Sequence, residues 1–311
     1  MPRVSIITPC YNCEMFIEKA IQSVQEQTFT DWEHIIVNDG SKDRSREVIE
    51  SYITSAQQVR LINQINSGVA RTRNVGYANT SQQSEYLLFL DGDDFLKPEM
   101  LSVMVNYLDR HPDLGFVYCD RTYTDSKGNP IETSHFPRYS PGRWGIREIP
   151  PNEAETPFSA VFNLAPVMPS VSLIRRSIYE KSGGWDENFG QHYEDTNLFL
   201  DLAIRSKVHY MSQSLVYYRR HEGQSTANDS RFAEQEEKLY ELWLNRKDLS
   251  LSQRQLIDKA WEFRIGKLSA CLGFRSGNNL LRQGKFLRAM RFYGGAVRRY
   301  IKSFSYKTIL N

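Results

Sequence analysis

Short apolar runs alternate with segments of helical periodicity over the first 100 residues of the chain. Runs rich in Val, Ile, Leu and aromatic side chains predict buried strands at residues 4–8, 34–37, 59–62 and 86–90. Between the first two runs, one face of a predicted helix carries Phe16, Ala20 and Val24, and Ser41 predicts the start of the next helix. Strands that alternate with helices at this pace predict βαβ units and a parallel sheet.

Carboxylates follow two of these predicted strands. Asp39 comes after the second strand, and Asp91, Asp93 and Asp94 surround Gly92 after the fourth. In an open α/β sheet, ligands bind beyond the carboxyl ends of the strands. Three acidic side chains within four residues repel one another, and carboxylate oxygens are ligands that Mg²⁺ and Mn²⁺ prefer. The cluster therefore predicts either a divalent metal site or a solvated acidic turn.

The pattern changes after residue 115. Residues 116–123 predict a strand that turns at 125–129 and returns antiparallel. Residues 136–169 are rich in Pro and aromatic side chains without a clear period, which suggests a lid or an acceptor wall. The remaining predicted features are a turn at 183–186, a helix that begins at Glu194 and Asp195, and a last strand at 215–218 before His221.

Composition and charge are those of a globular protein with a distinct tail. The chain has 311 residues, 40% hydrophobic and 24% charged, which excludes wholesale disorder and allows one large domain with an appendage. No apolar stretch reaches the roughly 18 residues of a transmembrane helix. The first residues lead directly into a strand and do not resemble a signal peptide, so we expect a cytoplasmic protein.

The C-terminal tail is strongly basic. Residues 263–311 contain 11 Lys and Arg and no Asp or Glu, which leaves a net charge of −9 for the first 262 residues. In residues 276–311 the basic residues interleave with aromatic and aliphatic ones, a pattern typical of peripheral membrane helices. Packing against the acidic remainder of the chain accounts for the same charge. Flotation on anionic vesicles, with and without 276–311, distinguishes the two. No nucleic-acid motif accompanies the tail.

The four cysteines are Cys10, Cys13, Cys119 and Cys271. The pair Cys10 and Cys13 lacks the second pair that a structural zinc site needs, and the spacing is not typical of a disulfide framework. We therefore expect buried or reduced thiols without a redox role.

Five motifs occur in one order: VSIITPCYN, IVNDGSKD, NSGVARTRN, FLDGDD, and GGWDE followed by ED. Together they resemble glycosyltransferase family 2 over roughly residues 3–226. The resemblance implies a GT-A fold, which is a Rossmann-like, mostly parallel sheet flanked by helices. Residues 1–226 would then form the nucleotide-sugar-binding and catalytic domain, and residues 227–311 a helical C-terminal region with the basic tail.

The same resemblance implies a nucleotide-sugar donor, most often linked to UDP. Pro9 and Tyr11 would lie beneath the base, Asp39 would accept a hydrogen bond from the base ring, and Arg71 would face the diphosphate or ribose. The resemblance also implies that Asp91 and Gly92 contact the nucleotide, and that Asp93 and Asp91 are ligands of Mn²⁺ or Mg²⁺. His221 would be an additional contact to the metal or a phosphate; the alternative is that this histidine is only structural.

For catalysis, the resemblance implies that Asp195 is the general base of an inverting reaction and that Glu194 orients it or contacts the acceptor. The alternative for this pair is the ordinary stabilisation of a helix start by acidic side chains. Trp185 and Asp94 are assigned to the sugar and acceptor side, with core packing as the alternative for Trp185. Two departures from the family pattern are Thr196, where an aromatic residue is usual, and Cys10.

Other functions share parts of this pattern. A strand followed by D-x-D is also the signature of haloacid-dehalogenase-type phosphatases, although there it normally stands near the start of the chain. A nucleotidyltransferase should open with a Gly-rich, basic loop, and a non-catalytic nucleotide-sugar binder would share the donor site. We predict a metal-dependent hexosyltransferase in cell-surface polysaccharide or glycoconjugate synthesis. Its acceptor would be a hydroxyl of a glycan, a lipid-linked molecule or another compound.

Overall fold

The computed structural model describes residues 1–53, 58–131, 154–155, 158, 161, 167–189 and 193–224, and residues 238–239, 241–243, 245–258, 260 and 290 further on. The chain forms two compact units, Met1–Gln235 and Glu236–Asn311. In the second unit, residues 251–258 are helical. The functional boundary at residue 226 stays a prediction.

Two predicted segments lie largely outside the described residues. They are the Pro-rich stretch at 136–169, of which only a few residues are described, and the tail at 276–311, of which only Met290 is described. The lid and the peripheral membrane contact therefore stay predictions, as does the cytoplasmic location. Among the described helices, none combines the length and the apolar character needed to cross a membrane.

The described strands of the first unit form one sheet. They are β1 (Val4–Cys10), β2 (Trp32–Asp39), β3 (Val59–Gln64), β4 (Tyr86–Phe89), β5 (Phe95–Leu96), β6 (Leu114–Thr124), β7 (Ala154–Glu155), β8 (Ser172–Arg175) and β9 (Lys207–Arg219). Their order is β3-β2-β1-β4-β8-β6-β9-β5, with β7 beside β9. The first four in this order are parallel, β8 is antiparallel to β4 and β6, and β9 is parallel to β6. The predicted α/β class is confirmed.

The described helices of this unit are α1 (Ile17–Gln25), α2 (Ser45–Ile53), α3 (Val69–Ala78), α4 (Met100–Arg110), α5 (Arg176–Tyr179) and α6 (Glu194–Arg205). The prediction that Ser41 starts α2 is wrong. The helix begins at Ser45, whose N–H donates to Asp43 Oδ1 at 3.0 Å, while the Ser41 hydroxyl accepts from the N–H of Asn12 at 3.0 Å.

The strand order explains why polar residues far apart in sequence meet. Strand β1 lies between β2 and β4, and all three are parallel. The chain continues from β1 to one side of the sheet and returns to its other side at β4, so the order reverses between these two strands. Ligand sites of α/β sheets form at such points. Tyr11 and Asp91, which follow β1 and β4, and Asp39, the last residue of β2, lie at this edge.

The predicted antiparallel return after residues 125–129 is visible over a short distance. Thr124 and Pro130 form an antiparallel bridge, and the N–H of Ile131 donates to the carbonyl of Tyr123 at 2.9 Å. The sheet neighbours of β6 are β8 and β9, so its extended pairing is with strands much later in the chain.

Close packing of α3 on the sheet requires a glycine. A Cβ atom at Gly76 would lie 2.3 Å from Ile7 Cγ2, and 3.3 Å from Val37 Cγ2. We expect Gly76→Ala to lower the free energy of unfolding by about 1–3 kcal/mol, because the helix must move away from the sheet. Urea denaturation measures this. Gly183→Ala is the control, since no atom lies within 4 Å of its added Cβ; equal losses in both variants would contradict the prediction.

Candidate active site

A cleft of about 520 Å³ opens at the carboxyl ends of β1, β2 and β4. The residues predicted from the sequence that line it are Pro9, Tyr11, Asp39, Asp91, Gly92, Asp93, Glu194, Asp195 and His221. Three other predicted residues, Arg71, Asp94 and Trp185, are not among the described residues of its lining. Lining residues that the sequence did not single out include Arg73, Asn66, Thr72, Met168, Tyr193 and Tyr218.

Asp39, the last residue of β2, has a buried carboxylate that reaches the start of α3. Its Oδ1 accepts from the side-chain amide of Gln64 at 2.7 Å and from the N–H of Ser67 at 2.8 Å, and its Oδ2 accepts from the N–H of Gly68 at 3.0 Å. Each carboxylate oxygen can accept about two hydrogen bonds. Oδ2 therefore keeps acceptor capacity toward the cleft, as a contact with the N–H of a base requires.

The loop after β1 holds Tyr11 half exposed at the cleft. Asn12, next in the chain, has a left-handed backbone (φ 52°). Its N–H donates to the Ser41 hydroxyl, and its side-chain oxygen accepts from the N–H of Lys42 at 2.8 Å. These bonds connect the loops after β1 and β2, and both Tyr11 and Asp39 line the cleft.

Cys10 and Cys13 form a disulfide across this loop. Both residues are buried as predicted, but the prediction of reduced thiols is wrong. The chain turns sharply between them and brings the two sulfurs together, an outcome that the three-residue spacing did not reveal.

Asp93 and His221 meet in the cleft. His221 Nε2 lies 3.0 Å from Asp93 Oδ2, and the imidazole packs against the ring of Phe16 at 4.4 Å between centroids. Asp91, the third predicted metal ligand, is instead bound by Arg73 at 2.7 Å. In the part of the chain that the structure describes, no three His, Cys, Asp or Glu side chains form a metal-binding group.

An imidazole nitrogen and a carboxylate oxygen are donors that Mn²⁺ accepts, and Mg²⁺ is usually held by one or two carboxylates together with substrate phosphates and water. The pair of Asp93 and His221 therefore fits a divalent cation whose other ligands come from a bound diphosphate.

Arg73, which sequence reasoning missed, is 3% exposed and lies between two carboxylates. Its Nη2 is 2.7 Å from Asp91 Oδ1, and its Nη1 is 3.3 Å from Glu194 Oε1. A signal was present in the helical spacing, because Ala70, Arg73 and Gly76 recur every third residue on the buried face of α3.

The structure corrects the placement of Arg71. It lies two residues before Arg73, which is about half a turn of helix, so its side chain points away from the buried face. The guanidinium is 59% exposed and lies 3.5 Å from Glu187. A contact between Arg71 and a diphosphate in the cleft is therefore not supported by this geometry.

The structure also corrects the predicted sugar contacts of Asp94 and Trp185. Asp94 is buried and accepts from the N–H of Arg219 at 3.1 Å, and burial, with the charges of Asp93 and Asp91, raises its pKa well above the ordinary value. Trp185 is buried beneath the guanidinium of Arg73 at 4.2 Å. Both side chains are buried and lie outside the described lining of the cleft, so a direct contact with a sugar is not supported.

Glu194 and Asp195 begin α6, directly after Tyr193 in the left-handed conformation (φ 72°). Asp195 Oδ1 accepts from the N–H of Thr196 at 2.6 Å and from its hydroxyl at 3.3 Å, while no hydrogen bond from a described residue occupies Oδ2. Thr196 thus anchors one oxygen of Asp195 and leaves the other available. Burial, together with the charge of Asp195, raises the pKa of Glu194 against the opposing effect of Arg73.

Comparison with known proteins identifies the class. Residues 5–183 match the family model described as glycosyl transferase family 2, which is more than half of the chain. The chain belongs to glycosyltransferase family 2, as its motifs indicated. The phosphatase alternative is thereby removed.

Individual relatives match parts of the chain. An uncharacterized glycosyltransferase, EpsJ of Bacillus subtilis, is 44% identical over 100 residues, which is 32% of this chain and 28% of EpsJ. A chondroitin synthase of Escherichia coli is 33% identical over 141 residues, which is 45% of this chain and 20% of the synthase. The chain thus spans less than a third of the length of these curated relatives.

A solved structure matches nearly the whole chain. S. aureus TarS 1–349 in complex with UDP-GlcNAc has a TM-score of 0.66 at 18% identity, and the match covers 96% of this chain and 83% of TarS. The likeness confirms the predicted GT-A fold.

Proposed function

We propose that this chain is an inverting, metal-dependent glycosyltransferase that moves a hexose from a nucleoside diphosphate, most simply UDP, to a hydroxyl of a glycan. The observation that carries the proposal is the composition of one cleft. Its lining contains an aromatic ring (Tyr11), a buried carboxylate (Asp39), an imidazole–carboxylate pair (His221 and Asp93), and a carboxylate with one available oxygen (Asp195).

The donor would enter with its base against Tyr11 and Pro9, which line the cleft at the end of β1. Oδ2 of Asp39 would accept the ring N–H of uracil. Gly92 lies close against the end of β1, where a Cβ atom would lie 3.2 Å from the carbonyl oxygen of Pro9 and 3.5 Å from Cys13 Sγ, so the absence of a side chain lets the D-x-D turn approach the loop that carries Tyr11. The TarS structure with bound UDP-GlcNAc supports a UDP-sugar donor for a chain of the same fold.

Asp93 and His221 would hold the divalent cation. When bound, that cation neutralises charge on the departing diphosphate, which is worth several kcal/mol in metal-dependent transfer. The chain itself holds His221 through its packing against Phe16 and its contact with Asp93. Asp91, bound to Arg73, would contact the donor without joining this pair.

Asp195 would be the general base. The acceptor oxygen attacks the anomeric carbon as the bond between that carbon and the diphosphate oxygen breaks, and the hydroxyl proton passes to Oδ2 of Asp195. Attack from the face opposite the diphosphate inverts the configuration. Thr196 keeps Oδ1 engaged, so a single oxygen is presented to the acceptor. The chondroitin synthase relative supports a glycan acceptor in polysaccharide synthesis.

Calorimetric titration with UDP, GDP and dTDP, each in Mn²⁺ and then in EDTA, tests the donor site. We expect UDP to bind in Mn²⁺ and to lose about tenfold or more in affinity in EDTA, which is 1.4 kcal/mol or more. Absence of binding by all three nucleotides would overturn the proposal. UDP binding without turnover of any UDP-sugar would instead favour a non-catalytic binder.

Arg71→Ala is the control for this titration. Since Arg71 is exposed and lies outside the described lining of the cleft, we expect its replacement to leave UDP affinity within about threefold, a change of roughly 0.65 kcal/mol. A much larger loss would return Arg71 to the donor site.

A further inference from the structure

Arg73 is a buried cation that contacts carboxylates from two different segments that line the cleft. Its guanidinium binds Asp91 on the donor side and Glu194 on the side of the proposed base. We infer that Arg73 is a positioning residue, which fixes Glu194 at the acceptor side and couples it to the donor motif. The inference rests on the proposed function and assigns a role within the same site.

The burial of Arg73 requires both carboxylates. A buried charge is retained only where charged and hydrogen-bonded partners compensate its lost hydration. Burial opposes the charge of Arg73, but Asp91 and Glu194 outweigh that effect, so the pKa of Arg73 lies above its ordinary value. The two carboxylates come from different parts of the fold, the turn after β4 and the start of α6. Arg73 is therefore the electrostatic link between these two segments.

Arg73 binds one of the two oxygens of Glu194. Oε1 is 3.3 Å from the guanidinium, whereas Oε2 is buried and has no hydrogen-bond partner among the described residues. Glu194 lines the cleft and is 7% exposed. A buried carboxylate oxygen without a donor is costly, so the contact of Oε1 with Arg73 is what compensates the burial of Glu194.

The planar shape of the guanidinium is needed for this role. One face of Arg73 lies over the ring of Trp185 at 4.2 Å, which fixes the plane in which its two terminal nitrogens reach Asp91 and Glu194. A lysine carries the same charge as a single point and cannot contact two carboxylates in that plane. Arg73→Lys therefore removes the positioning while it keeps the charge.

A double-mutant cycle tests the inference. The variants are Arg73→Lys, Glu194→Gln and the double variant, and the assays are UDP release from UDP-GlcNAc in Mn²⁺ with water as the acceptor, and calorimetric UDP binding. We expect each single variant to lower turnover roughly 10- to 100-fold while UDP affinity stays within about threefold. The double variant should be no slower than the slower single variant, because both changes remove the same contact between Arg73 and Glu194.

The matched control is the ion pair of Arg60 and Glu33, 2.6 Å apart and outside the described lining of the cleft. Arg60→Lys and Glu33→Gln should leave turnover unchanged. Strictly multiplicative losses in the Arg73 cycle, or UDP affinity that falls in parallel with turnover, would overturn the inference. If Arg73→Lys does not fold, Glu194→Gln alone tests the inference. Its turnover should fall while its UDP affinity stays within about threefold of the wild-type value.

Different results would overturn the proposed function and the positioning role of Arg73. A wild-type protein that neither binds UDP nor releases it from any UDP-sugar overturns the proposed function and this inference with it. A wild-type protein that is active, with Arg73 variants that retain full turnover, overturns the positioning role alone.

Discussion

Asp195→Asn should bind UDP with the affinity of the wild-type protein and transfer sugar about 10²–10⁴-fold more slowly. The amide has nearly the shape of the carboxylate, and its oxygen can still accept from the N–H of Thr196, so the start of α6 is preserved. It cannot accept the proton of an attacking hydroxyl at neutral pH. The loss should therefore appear in turnover and not in donor binding.

Steady-state kinetics with a UDP-sugar, beside calorimetry with UDP, separates these two quantities. Asp201→Asn is a suitable control because Asp201 lies on the same helix and pairs with Arg205 at 3.1 Å, away from the described lining of the cleft. We expect the control to keep its turnover. Near-normal turnover of Asp195→Asn would show that another group removes the proton, and Glu194 would be examined next.

Asp93→Ala should abolish the effect of Mn²⁺ on UDP binding. The variant removes one of the two side chains that meet at the proposed metal site, and we expect UDP affinity in Mn²⁺ to fall about 10- to 100-fold, or roughly 1.4–2.8 kcal/mol. In EDTA, wild-type and variant proteins should bind UDP about equally, because the difference between them is the metal.

His221→Ala should show the same pattern if the two residues act together. His111→Ala is the control, since His111 packs against Tyr107 and is outside the described lining of the cleft. An Asp93→Ala protein that still responds fully to Mn²⁺ would place the metal elsewhere. Titration of Mn²⁺ alone, followed by calorimetry, gives a readout that does not depend on turnover.

Much of the proposed donor site could be predicted because its residues lie at the ends of buried strands. Tyr11, Asp39 and Asp91 come directly after three apolar runs, and parallel neighbouring strands bring such positions to one edge of the sheet. The acidic pair at Glu194 and Asp195 was placed by its motif and by the apolar periodicity of the helix that follows. These are local signals, and the sequence carries them without reference to the rest of the fold.

The pairing of strands that are far apart in the chain was harder to predict from the sequence. The sequence indicated a local hairpin after β6, whereas the main partners of β6 are β8 and β9, about 60 and 90 residues later in the chain. Similarly, the start of α2 depends on which of two nearby polar side chains reaches a free N–H. Asp43 does so, and Ser41 instead contacts the loop at Asn12.

By itself, the sequence determined the α/β class, the family, the strand ends that carry Tyr11, Asp39 and Asp93, and the helix start that carries Asp195. Only the tertiary structure decided between Arg71 and Arg73, and it turned Trp185 and Asp94 away from the cleft. The physical reason is that a motif gives the position of a residue along the chain, while packing of a helix or turn on the sheet decides which way its side chain points. Arg73 faces the carboxylates because Gly76, one turn later, allows α3 to lie directly on β1.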